Sequence, residues 1–148
     1  MVSDSLKITG KLKVEKFNKD NNLVETREIP NLVVSSGKSH IATRMSSNVE
    51  VIMNHMAIGG SATSPTASDT TLGAEMGRIA LTSTSVTANT LTYLGTFSPG
   101  TGIGTIKEAG IFNAQGNAAG SMLCRTTFAD INKGASDSIV ITWNVSVA

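Results

Sequence analysis

Lys107-Glu108 stands directly before the apolar run Ala109-Gly110-Ile111-Phe112, so a carboxylate enters a segment that otherwise reads as core. In strand geometry Glu108 shares a face with Phe112, opposite Lys107 and Ile111. A carboxylate in such a place can serve as general acid or base, or it can be held by a cation. Acid–base catalysis needs company, and no second carboxylate or histidine is spaced to complete a mechanism with Glu108. Arg78 and Arg125 are the obvious cations. The expectation is a structural ion pair drawn from Glu108, Arg78 and Arg125.

The other reactive residue types are sparse. Gly100, Gly102 and Gly104 invite a nucleotide reading, but Gly104-Thr105-Ile106 lacks the Lys-Ser/Thr that closes a phosphate cradle. They also sit between two strand-like runs rather than at a strand-to-helix turn. His40 and His55 are 15 residues apart without nearby Cys, His or carboxylate companions, which argues against a metal site. Asp69, Glu75, Asp130 and Asp137 do not follow the alternating spacing of a calcium loop. Cys124 lies in an apolar strand phase and reads as a buried, inert thiol. The expectations are no catalytic residue, no cofactor, no metal and no enzymatic activity.

The elements that must position these residues are strands. Between Ser138 and Ala148 the odd positions Ile139, Ile141, Trp143, Val145 and Val147 are all apolar. The even positions are Val140, Thr142, Asn144 and Ser146. This period of two predicts a strand with one buried face, and Trp143, Ile139, Ile141 and Val145 are the expected core. The same period runs through Leu6, Ile8, Leu12 and Val14 against Lys7, Thr9, Lys11, Lys13 and Glu15. Asn18 to Asn22 turns the chain into a return strand from Leu23 to Ile29, which Pro30 should end. Lys38 to Met45 reads as a short helix with Ser36 as N-cap, and a single helical turn is expected through Leu72 to Met76. Further strands are expected at 79–85, 91–97, 106–112 and 121–128. The fold class is mainly β, an antiparallel β-sandwich or barrel-like domain with one or two short helices.

The 148 residues suit a single domain, with a charged N-terminal hairpin and short helix in 1–50 and a low-charge, strand-rich part in 51–148. Fourteen of the 23 charged residues lie in 1–50 and six in 79–148. Soluble monomers normally interleave charge over their surface, and interface cores are depleted of it. The even face of the last strand, Val140, Thr142, Asn144 and Ser146, is therefore a candidate interface. A net charge of +1 gives no pull toward nucleic acid, and the basic face of Lys7, Lys11 and Lys13 is offset by Glu15, Glu25 and Glu28. No apolar run is long enough to span a membrane, so neither nucleic acid nor membrane is an expected partner. With one cysteine and no apolar leader, synthesis in a cytoplasm without export is expected.

Several stretches resemble small structural proteins of tailed bacteriophages. These are Met-Ala-Ile-Gly-Gly at 56–60, Ser-Asp-Thr-Thr-Leu-Gly-Ala-Glu-Met-Gly-Arg at 68–78, Lys-Glu-Ala-Gly-Ile-Phe-Asn-Ala at 107–114, and Ile-Asn-Lys-Gly-Ala-Ser-Asp at 131–137. Glu-Ala-Gly-Ile-Phe is also similar to the attachment region of tail-collar fibre proteins, and residues 30–38 are similar to a segment that precedes it in such proteins. The resemblance covers about two-thirds of the chain. It implies a non-enzymatic virion subunit made in the host cytoplasm, with other phage structural proteins as partners. A homo-oligomer, trimeric or hexameric, is expected with it. A tail-side place (fibre base, adaptor or baseplate periphery) is preferred to the alternative of a capsid decoration protein. A receptor- or carbohydrate-binding module ranks lower, because Tyr93 and Trp143 fall in apolar strand phases.

Overall fold

The computed structural model describes residues 4–116 and 120–148. They form a mainly β protein, 54% strand and 8% helix, whose nine antiparallel strands make one curled sheet in the shape of a half-barrel. In chain order the strands are β1 (Ile8–Phe17), β2 (Leu23–Val33), β3 (His55–Gly59), β4 (Glu75–Ala80), β5 (Ser83–Thr87), β6 (Thr90–Phe97), β7 (Gly104–Phe112), β8 (Met122–Lys133) and β9 (Ser138–Val147). The helix α1 (Ser35–Ser46) follows β2. Across the sheet the order is β4-β3-β7-β8-β2-β1-β9-β6-β5. The sheet curls so far that β4 comes against β6 across the concave side. A side chain at Gly95 in β6 would strike Met56 Sδ of β3 on the opposite wall.

Alternation explains the concave core. The register aligns Ile29, Leu12, Trp143, Tyr93 and Thr84 in one row across β2, β1, β9, β6 and β5. Leu12 and Trp143 are fully buried there, with Ile139, Ile141 and Val145 on the same face of β9. Met56, Ile58, Ile106, Ala109, Ile111, Cys124 and Ile131 complete that core from the facing wall. Trp143 has a polar atom to satisfy, and its Nε1 donates to Asn31 Oδ1 at 2.8 Å. Gly10, directly across from Asn31, leaves the room: a Cβ there would collide with the Asn31 amide.

Four local expectations are corrected. Pro30 does not end its strand, and β2 runs through it to Val33. On the β8 side β2 has ladder partners only at Leu32 and Val33, so the missing N–H at Pro30 costs no bond there, and the Pro30 carbonyl accepts from Thr126 Oγ1. Ser36 does not cap α1, which begins one residue earlier with Val34 at the N-cap; Ser36 Oγ donates instead to the Met122 carbonyl. The helical turn expected over 72–76 is absent, because Glu75 to Ala80 is drawn into β4 by pairing with β3. The strand expected over 79–85 is broken, with β4 ending at Ala80 and β5 starting at Ser83.

Candidate functional site

Where β3 pairs with Glu108–Phe112 of β7, and these with Met122–Thr126 of β8, the wall is buried on both faces. Its outer face lies beneath the loop that joins β3 to β4, where Leu72 packs with Val34, Ala57, Phe112 and Met122. Two rows of the register place the charges under that loop. Glu75, Gly59 and Glu108 form one row, and Arg78, Ala57, Gly110 and Arg125 form the next. Each arginine takes the acid on its own side of β3. Arg125 Nε and Nη2 hold Glu108 Oε2 at 3.0 and 2.9 Å, while Arg78 Nε and Nη2 hold Glu75 at 3.0 and 2.7 Å. Arg78 also donates to the Ala114 carbonyl and lies 3.8 Å over the Phe112 ring. Glu108 and Arg125 are thus brought together, whereas Arg78 pairs with Glu75, a partner that sequence reasoning missed.

The small residues between the charges are what permit this arrangement. A Cβ at Gly59 would come within 2.5 Å of Glu108 Oε1. Glu108 is fully buried, and its carboxylate is saturated. Besides the arginine it accepts from the backbone N–H groups of Ser61, Gly73 and Ala74 at 3.2, 2.9 and 2.7 Å. Arg125 reaches back to the loop, donating to Asp69 Oδ2 and to the Thr63 carbonyl, each at 2.9 Å. Burial pushes the Asp69 carboxyl up, but bonds from the Thr66 N–H and hydroxyl and from Arg125 outweigh it and hold the group below its ordinary value. This satisfied network fastens both ends of the loop to the sheet. With both oxygens occupied, Glu108 has no lone pair directed at a substrate.

The other wall is open on its outside. Outward-facing residues of β1, β9, β6 and β5 align as Thr9-Ser146-Thr90-Thr87, Lys11-Asn144-Thr92-Ser85, Lys13-Thr142-Leu94-Ser83 and, across the first three strands, Glu15-Val140-Thr96. Asn144 is exposed, and Val140, Thr142 and Ser146 are half-buried by their neighbours. The uncharged polar side chains bond one another: the Thr92 hydroxyl donates to the Asn144 amide Oδ1 at 2.8 Å, and the Thr90 and Ser146 hydroxyls lie 3.0 Å apart. No charged residue occurs in 79–106 or in 138–148, so β5, β6 and β9 carry none on either face. On the hairpin side the lysines are matched, Lys11 with Glu28 at 2.9 Å and Lys13 with Glu15 at 3.4 Å.

Under the concave rim, α1 and the 52–53 segment face β1, β9, β6 and β5 across an apolar cavity of about 480 Å³. Ile8, Ile41, Met53, Leu91, Tyr93 and Val145 are among its walls. Met45 and Ile52 at its mouth are 81% and 56% exposed. Burial pushes the Tyr93 hydroxyl up to about 12 and the Cys124 thiol well above its ordinary value, so neither ionises near neutrality. His40 is buried, with Nδ1 3.5 Å from Glu50 Oε2. His55 Nδ1 lies 2.6 Å from Asn54 Oδ1, and burial together with Arg78 lowers its pKa. Among the described residues no group of three or more His, Cys, Asp or Glu could hold a metal ion, and no helix is long and apolar enough to cross a membrane. Compared with family models, with curated proteins and with solved structures, the chain matches none of them.

Proposed function

We propose that this chain is a non-enzymatic structural subunit of a tailed-phage particle, made in the host cytoplasm and assembled through its uncharged sheet flank. The observation that carries the reading is that flank: three adjacent strands, β9, β6 and β5, without a charge on either face. An exposed sheet that large ordinarily carries charge for solubility, and interface cores are where charge is depleted. The saturated Glu108 carboxylate supports a non-enzymatic role, since the best-placed acid is committed to holding a loop. The resemblance of the 56–60, 68–78, 107–114 and 131–137 stretches to phage structural proteins supplies the particle.

Its partners are other virion proteins and further copies of itself. A tail-side place is preferred, because Glu-Ala-Gly-Ile-Phe at 108–112 resembles the attachment region of tail-collar fibre proteins. Immunogold labelling of intact particles, combined with quantitative densitometry of purified ones, tests this reading. Label on the tail, with a few to tens of copies per particle, is the expected outcome. Label over the head with hundreds of copies would move the protein to capsid decoration. Absence from purified particles would overturn the reading.

A further inference from the structure

The geometry points to β5 as a self-pairing edge, through which two copies of this chain join their sheets antiparallel about a two-fold axis at Ser85. β5 ends the sheet order, and among the described residues it pairs with β6 alone. In an antiparallel ladder alternate residues exchange their backbone bonds with the neighbour. The remaining N–H and C=O groups of β5 therefore point off the sheet. Natural edge strands are guarded by lysine, proline, bulges or a covering segment. Ser83-Thr84-Ser85-Val86-Thr87 has no lysine, no proline and no register shift against β6, and all five residues are exposed.

The choice of a second copy as occupant rests on self-complementarity. The strand is nearly a palindrome in side-chain type. Paired antiparallel about Ser85, the outer face sets Ser83 against Thr87 and Ser85 against its own counterpart, so hydroxyl meets hydroxyl. The concave face sets Thr84 against Val86, a β-branched pair of the kind that stabilises sheets. Neutrality fits the same occupant: a strand chosen for a charged partner would carry opposite charge, and none occurs in 79–106. A five-residue edge buries little by itself. Val86, 65% exposed, shares the concave face of β5 with Thr84, which lines the cavity whose mouth carries the exposed Met45 and Ile52, and the apolar groups of that rim supply the further area that association requires. The contact goes beyond the virion reading and does not depend on it. It is compatible with a hexamer built from two-fold pairs and incompatible with a plain cyclic trimer.

Sedimentation velocity on the full chain over a range of concentrations tests the contact, alongside cysteine trapping. The expected species is a reversible dimer of the 15.4 kDa chain. Ser85→Cys should trap that dimer as a disulfide under mild oxidation, because facing residues of an antiparallel pair lie about 4.5–5.5 Å apart at Cα, within disulfide reach. Ser83→Cys is equally exposed but faces Thr87, and it should cross-link far more slowly. Val86→Lys places cations on both sides of the axis and should weaken the dimer at least about tenfold while the circular dichroism spectrum stays unchanged. A protein that stays monomeric at the highest attainable concentration overturns the proposal. So does a dimer that Ser85→Cys does not trap faster than Ser83→Cys, or one indifferent to Val86→Lys. Edge capture by a strand of a different protein would appear as the monomeric outcome.

Discussion

The two walls of the half-barrel distribute charge in opposite ways. Where the β3–β4 loop crosses it, the β3-β7-β8 wall is covered on its outside and places Glu108 and Arg125 in full burial, tied to that loop by hydrogen bonds that leave no group idle. The β9-β6-β5 wall is open on its outside and has no charge at all. An ordinary soluble domain does the reverse, keeping charge in water and hydrocarbon inside. The inversion separates two tasks. Buried ions fix the shape of a long loop without relying on a large core, and the neutral wall keeps a broad face free of desolvation cost when another surface covers it.

Breaking the covered wall should have the largest effect. Glu108→Ala leaves the Arg125 guanidinium buried beside nothing but Asp69 and a carbonyl, and strands three loop N–H groups. A loss of about 3–5 kcal/mol in chemical denaturation is expected, with limited proteolysis shifting to residues 61–74. Trp143→Ala on the inner face of the open wall should cost a similar amount, about 3–5 kcal/mol, through a cavity in the row of Leu12 and Tyr93. The signatures differ: the tryptophan variant should expose the whole sheet to hydrogen exchange, while the glutamate variant should expose the loop first.

A smaller effect comes from pH. The folded state holds the Tyr93 proton up to about 12, whereas the unfolded chain loses it near its ordinary value of 10.0. Stability is therefore complete below pH 10, falls as pH rises from 10 to 12 and levels off above, a loss of roughly 3 kcal/mol from this group. Cys124 acts in the same sense from about pH 9 upward. Thermal melts across pH 8 to 12 should show this decline, with a shallower slope for Tyr93→Phe; an unchanged slope would mean that Tyr93 is not the titrating group.

The smallest change in stability should come from the open face. Asn144→Asp puts a carboxylate beside Lys11 and should alter stability by no more than about 0.5 kcal/mol. If that face is covered in the particle, the same substitution should weaken incorporation clearly in a competition assay against wild-type protein. Val140→Asp is the poorer probe, because Val140 lies directly opposite Glu15 and a second carboxylate there would disturb the sheet itself.

How much of this was legible beforehand follows from the range of each signal. The inner face of β9 was readable because alternation is local, and nothing distant is needed to place Trp143 in the core. Glu108 and Arg125 could be nominated but not assigned, since their meeting depends on how β7 and β8 align. Glu75 and Asp69 were missed as partners for the same reason. The one local hint nearby is Gly73-Ala74, two small residues whose N–H groups both go to the Glu108 carboxylate. Pro30 misled because a proline ends a strand only where a ladder bond is due on its N–H side. Three of the phage-like stretches are neighbours in space: β3, the loop with β4, and β7 meet around Glu108, while 131–137 lies at the far end of β8. These three stretches thus belong to the framework around the buried carboxylate rather than to the outer surface.

The pairing of β1 with β9 has a consequence for the order in which the protein can be made. Ile8 to Phe17 finds one neighbour at Leu23 to Val33 almost immediately, but its other neighbour is Ser138 to Val147. β6, too, depends on β9 for its place in the sheet. On a ribosome the first hairpin can form early, yet the concave core stays unsealed until the final strand has left the exit tunnel and inserted between two waiting strands. Contacts so distant along the chain make for slow folding. Trp143, the chain's single tryptophan, arrives with that last strand, so its fluorescence times the sealing step directly.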